Sequence, residues 1–140
     1  MSNMTHTFNL NLDATEHHLI SSSPNLTITS KGAAGEENVF MASKWGEYNH
    51  VEGFETGKDK IKIPLEVIQE VKADTAFAKG ACPAAKFKDS PDFDDVLSFA
   101  NNLLRYSWTE DGGDTYKTVE LLTLDGDPAP TVAAGDIEIV

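Results

Sequence analysis

Val51-Glu52-Gly53-Phe54-Glu55-Thr56-Gly57-Lys58-Asp59-Lys60-Ile61-Lys62-Ile63 is the stretch that decides the fold. It reads as the end of one short strand, His50 to Phe54, a glycine turn, and a second strand over Asp59 to Ile63. Apolar residues on every second position mark a strand with one buried face. Upstream, Thr7 to Leu12 and Asn25 to Thr29 alternate in the same way, and Asn38 to Ala42 is a third apolar run behind the turn Gly32-Ala33-Ala34-Gly35. Ser22-Ser23-Pro24 and Glu55-Thr56-Gly57 supply turns between the runs. Short strands at this spacing suggest a sandwich or a coiled parallel arrangement.

Downstream, two segments have helical features. Pro64 can take the first helical position of a short helix through Leu65, Val67, Ile68 and Val71. Ser90-Pro91-Asp92 supplies a cap, a proline at the first position and acidic residues at the positive end of a helix dipole, with Asp94 and Asp95 close behind. Phe93, Val96, Leu97, Ala100 and Leu104 then share one face, which predicts a helix over 91–104. Strands return at Leu104–Trp108 and Thr115–Leu121 around Asp111-Gly112-Gly113-Asp114, a hairpin turn. Asp125-Gly126-Asp127-Pro128 is a further turn, and Asp136 to Val140 a terminal strand. The expected fold is mostly β: a parallel β-roll-like or β-sandwich domain with one or two short α-helices. It forms a single domain over 1–140, with short strands over 1–63, a helical and loop segment over 64–104, and a terminal hairpin and strand over 105–140.

The length of 140 residues suits one domain. The net charge is −12, from 23 acidic and 11 basic residues, and such an acidic surface repels nucleic acid and anionic membranes. Acids and bases number seven and two over 1–57, four and seven over 58–88, and twelve and two over 89–140. The basic middle can pack on the acidic tail or stand as a solvated face. No apolar run approaches the roughly 18–20 residues of a membrane helix, so membrane insertion is not expected. Cys82 is the sole cysteine, which excludes an internal disulfide and any paired-cysteine zinc site. The first twenty residues contain no Lys or Arg and no apolar core of the kind a cleaved secretory signal carries.

The order of these motifs resembles the end of an RTX (repeats-in-toxin) β-roll, as in the C-terminal domains of serralysin-type proteases. There a last repeat runs into a stretch like I-x-D-F-x-x-G-x-D-K-I-D-L. VEGFETGKDKIKI is similar over its whole length, with Gly53 where the family often has Asp. Gly35 to Phe40 before it, and Gly113-Asp114-Thr115-Tyr116, Val119-Glu120-Leu121 and Thr131 to Ile137 after it, are similar to the repeat and the closing hairpin. The likeness covers about residues 35–63 and 104–140. The tandem G-G-x-G-x-D-x-Φ-x array is absent, and Glu37 stands where a repeat has Asp.

The resemblance implies a non-enzymatic export and folding module of a protein secreted by a type I system, without a cleaved N-terminal signal. Calcium is the implied cofactor, with Glu37, Asp59, Asp114, Asp125 and Asp127 as candidate ligands, and the exporter is the implied partner. Asp136, Ile137, Ile139 and Val140 are similar to the uncleaved C-terminal export signal, with Glu138 interrupting it. The features named so far also suit a cytoplasmic protein.

From the residues themselves, Asp111/Asp114 and Asp125/Asp127 flank glycines as turn residues do, and each pair offers half a calcium site at most. A different function, a small secreted carrier of haem, metal or sugar, would use His17, His18 and His50, or the aromatics Trp45, Tyr48, Tyr106, Trp108 and Tyr116. His17 and His18 are adjacent, so in a strand they face opposite ways. No G-x-S-x-G, phosphate loop or dinucleotide fingerprint occurs, and Cys82 has no histidine near it in sequence.

Overall fold

The computed structural model describes residues 6–11, 16–17, 26–31 and 34–140, with side chains from Thr27 onward. The chain is mostly β. Its first half winds between two sheets. Strands β1 (His6–Asn11), β3 (Leu26–Lys31) and β5 (Asn49–Glu52) lie side by side in one sheet, all parallel. Strands β2 (Glu16–His17), β4 (Val39–Met41) and β6 (Lys60–Ile63) do the same in the other. Register partners such as His6↔Leu26, Ile28↔Asn49 and Val39↔Lys60 lie 20 or 21 residues apart, so three coils of nearly constant length stack as a roll.

A fourth coil closes it from far along the chain. After β6 come α1 (Leu65–Val71), β7 (Gly80–Ala81), β8 (Phe87–Lys88), β9 (Val96–Ala100) and β10 (Leu103–Trp108). Then β11 (Lys117–Leu124) pairs parallel with β5, and β12 (Ile137–Ile139) pairs parallel with β6. The sheets run β1-β3-β5-β11-β10-β9-β8 and β2-β4-β6-β12-β7. The β8–β9 pair is parallel, whereas β9–β10, β10–β11 and β7–β12 are antiparallel. One core lies between the sheets: Phe40, Ile61, Ile63, Ile137 and Ile139 from one, Val51, Leu97, Leu104, Tyr106, Leu122 and Leu124 from the other. Ile68 of α1 is fully buried against it, with Pro64 just outside the helix as its cap rather than inside its first turn.

The expected helix over 91–104 is instead the start of a hairpin. Asn101 and Asn102, at φ +51° and +67°, form a two-residue link between β9 and β10 with the positive φ values of a hairpin turn. Val96, Leu97 and Ser98 are all buried, so both faces of β9 are covered and the alternation that marks a strand is lost. Cross-strand pairs Leu97↔Tyr106 and Phe99↔Leu104 fix the strand state. The acidic cluster caps no helix. Asp95 accepts the Tyr106 hydroxyl (2.5 Å), the Thr75 hydroxyl (2.8 Å) and the Ala76 N–H (2.7 Å), while Asp92 accepts Lys88 Nζ (2.5 Å) and the Asp94 N–H. Of the strands predicted from sequence, Leu12 and Asn25 lie outside the described residues.

Candidate functional site

The candidate site is the edge where each coil enters the second sheet. Asn38, Asp59 and Asp136 immediately precede β4, β6 and β12, and all three are buried. Asp59 Oδ1 accepts the Asn38 N–H (2.9 Å) and its Nδ2 (3.0 Å), and Asp59 Oδ2 accepts the Glu55 N–H (2.8 Å). Asp136 repeats the pattern one coil on: Oδ1 accepts the Gly57 N–H (3.0 Å) and Oδ2 the Ala133 N–H (3.0 Å). Each carboxylate thus links a residue of the preceding coil to one in its own turn, three or four residues upstream. Buried peptide N–H groups need partners, and charged acceptors make the stronger bonds. Beside this ladder, Glu55 Oε1 accepts the Gly35 N–H (2.8 Å), and Lys60 Nζ donates to the Gly135 carbonyl (3.0 Å).

The expected calcium ligands do not gather at this edge. Asp59 is in the ladder with its oxygens on N–H donors, and Glu37 is exposed. Asp114 and Asp127 are exposed in separate loops. Asp125 Oδ1 contacts His50 Nδ1 at 2.8 Å. Among the described residues, no three or more His, Cys, Asp or Glu side chains converge as a metal site. Among the described residues, Glu37, Asp59, Asp114, Asp125 and Asp127 therefore do not come together as one calcium site. Of the histidines, His50 has its second ring nitrogen on the Glu47 carbonyl (2.9 Å), the side chain of His17 in β2 is not described, and His18 lies outside the described residues.

The terminal segment proposed as an export signal is part of the core. Ile137 and Ile139 are buried, and β12 is paired on both sides, with β6 and β7. Val140 donates its N–H to the Ile63 carbonyl (2.9 Å) and accepts the Leu65 N–H (2.8 Å). Glu138 faces solvent, and Val140 is partly exposed.

Cys82 and Tyr106 both lie in the core. Burial pushes the Cys82 thiol up to about 11. Burial, with the Asp95 carboxylate next, holds the Tyr106 hydroxyl far above the usual tyrosine range. Tyr106 stacks on Trp108 in the core, ring centroids 5.4 Å apart, so these two aromatics line no surface. No family model, curated protein or solved structure matches the chain.

Sequence reasoning missed the recurrence of Asn or Asp directly before three second-sheet strands, β4, β6 and β12: Asn38-Val39-Phe40, Asp59-Lys60-Ile61, Asp136-Ile137-Glu138. That spacing, 21 residues for the first two, was the available signal. It also missed Gly46, whose role appears only when β11 is laid beside it.

Proposed function

We propose that this chain is a non-enzymatic extracellular folding and export module of RTX type, held by hydrogen bonds where the RTX repeats use calcium. The observation that carries the reading is β12: the segment similar to a type I export signal is also the strand that completes the last coil. In the RTX family, which the sequence resembles, repeat aspartates and carbonyls ligate calcium between turns. Here Asp59 and Asp136 link successive coils by accepting N–H groups instead. The same five residues then have two successive roles. Extended, they are free to be read by an exporter; folded, their isoleucines are sealed between the sheets. The partner is the type I exporter, and the destination is the cell exterior or surface.

The test is secretion through a type I exporter of the full chain against a chain lacking Asp136 to Val140. The reading expects loss of export on truncation. Export of the truncated chain at the full level overturns it. Glu138→Ala, at the exposed position of β12, is expected to leave the fold intact and reports the signal alone.

A further inference from the structure

The crossing from β4 to β5 is locked underneath and aromatic on top. Gly46 lies so close to β11 that a Cβ there would sit 2.1 Å from the Leu121 carbonyl carbon. The β11 strand bulges at this point, its register with β10 jumping from Leu104↔Leu122 to Arg105↔Glu120. The Leu121 carbonyl accepts the Ser43 N–H (3.0 Å), and Thr123 Oγ1 donates to the Gly46 carbonyl (2.8 Å). Asn49 Nδ2 donates to both Ser43 Oγ (2.8 Å) and the Trp45 carbonyl (2.9 Å). A loop fixed this firmly would need no large apolar side chains facing outward. Yet Trp45 and Tyr48 are both partly exposed, and with Lys44, Glu47 and Glu120 they line a cleft of about 200 Å³.

We propose that this cleft binds an organic cation, a quaternary ammonium or guanidinium group. Three observations select that chemistry. First, the Trp45 ring already attracts a cation: Lys44 Nζ lies 5.7 Å from its centroid, inside the range of cation–π contact. Lys44 also makes an exposed 3.4 Å pair with Glu70, a weak tether that an incoming ligand displaces. Second, Glu47 and Glu120 leave the cleft net negative in a chain of charge −12, which favours a positive ligand over a neutral sugar. Third, the volume falls below the roughly 300–1,000 Å³ of sites that enclose a whole drug-sized ligand, so it suits one head group or one side chain. Weakly hydrated cations lose least on leaving water for an aromatic face, which favours quaternary ammonium and guanidinium over a primary amine.

The site is independent of the export reading, and the test is run on the folded full chain. Choline and N-acetylarginine amide are titrated in turn while the Trp45 indole resonance is followed by NMR, with glucose as the neutral comparison. A saturable shift with either cation and none with glucose is the expected result. Saturation by choline alone assigns a small ammonium ligand; saturation by the arginine compound alone assigns a basic side chain of a partner. Glu47→Gln with Glu120→Gln, both at the surface, is expected to weaken binding roughly tenfold. Lys44→Ala is expected to tighten it several-fold by removing the competing cation. No saturable shift with either cation, an equal response to glucose, or weaker binding in Lys44→Ala overturns the proposal.

Discussion

Replacing Asp59 by alanine probes the ladder most directly. The side chain is fully buried and accepts three N–H donors, two from Asn38 and one from Glu55. Hydrogen bonds to a charged group contribute about 1.5–3 kcal/mol each, and a buried donor left without a partner costs about 1–3 kcal/mol. Glu55 lies nearer the surface, where water replaces part of the loss. The expected destabilisation of Asp59→Ala is therefore about 3–5 kcal/mol, a large share of the roughly 5–15 kcal/mol that holds a typical domain. For a chain of this size each kcal/mol moves the midpoint by about 3–4 °C, so Tm falls by roughly 10–20 °C. Urea unfolding followed by tryptophan fluorescence measures the change, since Trp108 is buried in the core. Asp59→Asn keeps one acceptor oxygen but turns an amide toward an N–H donor, and falls between wild type and alanine. Asp114→Asn, on an exposed turn, is the control and stays within about 0.5 kcal/mol. The loss at Asp59 is expected to be the same with calcium and with a chelator. A loss below about 1 kcal/mol, or one that appears only when calcium is present, refutes the ladder as the device that holds the coils.

Gly46→Ala is expected to cost about 3 kcal/mol or more, because its Cβ meets β11 backbone that has no rotamer to move; thermal unfolding by circular dichroism reads this. Asn101→Gly is expected to preserve or slightly raise stability, whereas Asn101→Val loses about 1–2 kcal/mol at φ +51°; urea midpoints of the pair decide it. Asp111 accepts the Thr115 hydroxyl, the Thr115 N–H and the Thr109 hydroxyl, in that order of effect, and these hold its carboxyl below the usual range. Since the folded value is depressed, its contribution is complete above the ordinary aspartate value and fades as pH falls toward the folded one. The Thr115 amide resonance should therefore keep its native shift through mildly acid pH and move only in stronger acid. Cys82, with its thiol near 11, should react with a disulfide reagent at neutral pH only at the rate of unfolding, and at once in denaturant.

Much of the coiled part was legible because its strands have one face inward. Ile61 and Ile63 are buried while Lys60 and Lys62 stand partly in solvent, and β12 repeats this with Ile137, Glu138 and Ile139. The β9 strand was not legible, because burial on both faces removes alternation and leaves spacings that also fit a helix. The proline and aspartates ahead of it added a false start signal. Only the partners show that Asp95 serves Thr75, Ala76 and Tyr106 rather than a helix end. The site was half legible. The stretch through Ile63 drew attention to Asp59, but an aspartate beside a turn looks alike whether it meets a cation or two neighbouring peptide groups. Its donors come from residues 4 and 21 positions away, and the second distance follows from the stacking of coils, not from local sequence.

The long return between the third and fourth coils also sets an order of assembly. Early coils join residues about 20 apart, whereas the last joins His50 to Thr123 and Ile61 to Ile137, 73 and 76 apart. Closing the longer loop costs about 1 kcal/mol more in chain entropy if the intervening segment is unstructured. The β9–β10 and β10–β11 hairpins, both local, shorten that gap before it is closed. Hairpins first, last coil afterwards, is then the cheaper route, and β12 is the piece that arrives late. Until it does, Ile61 and Ile63 lack their neighbours on one side, and the half-built sheet exposes an unpaired apolar edge. The vulnerable interval in this protein's life is the one before its final strand docks.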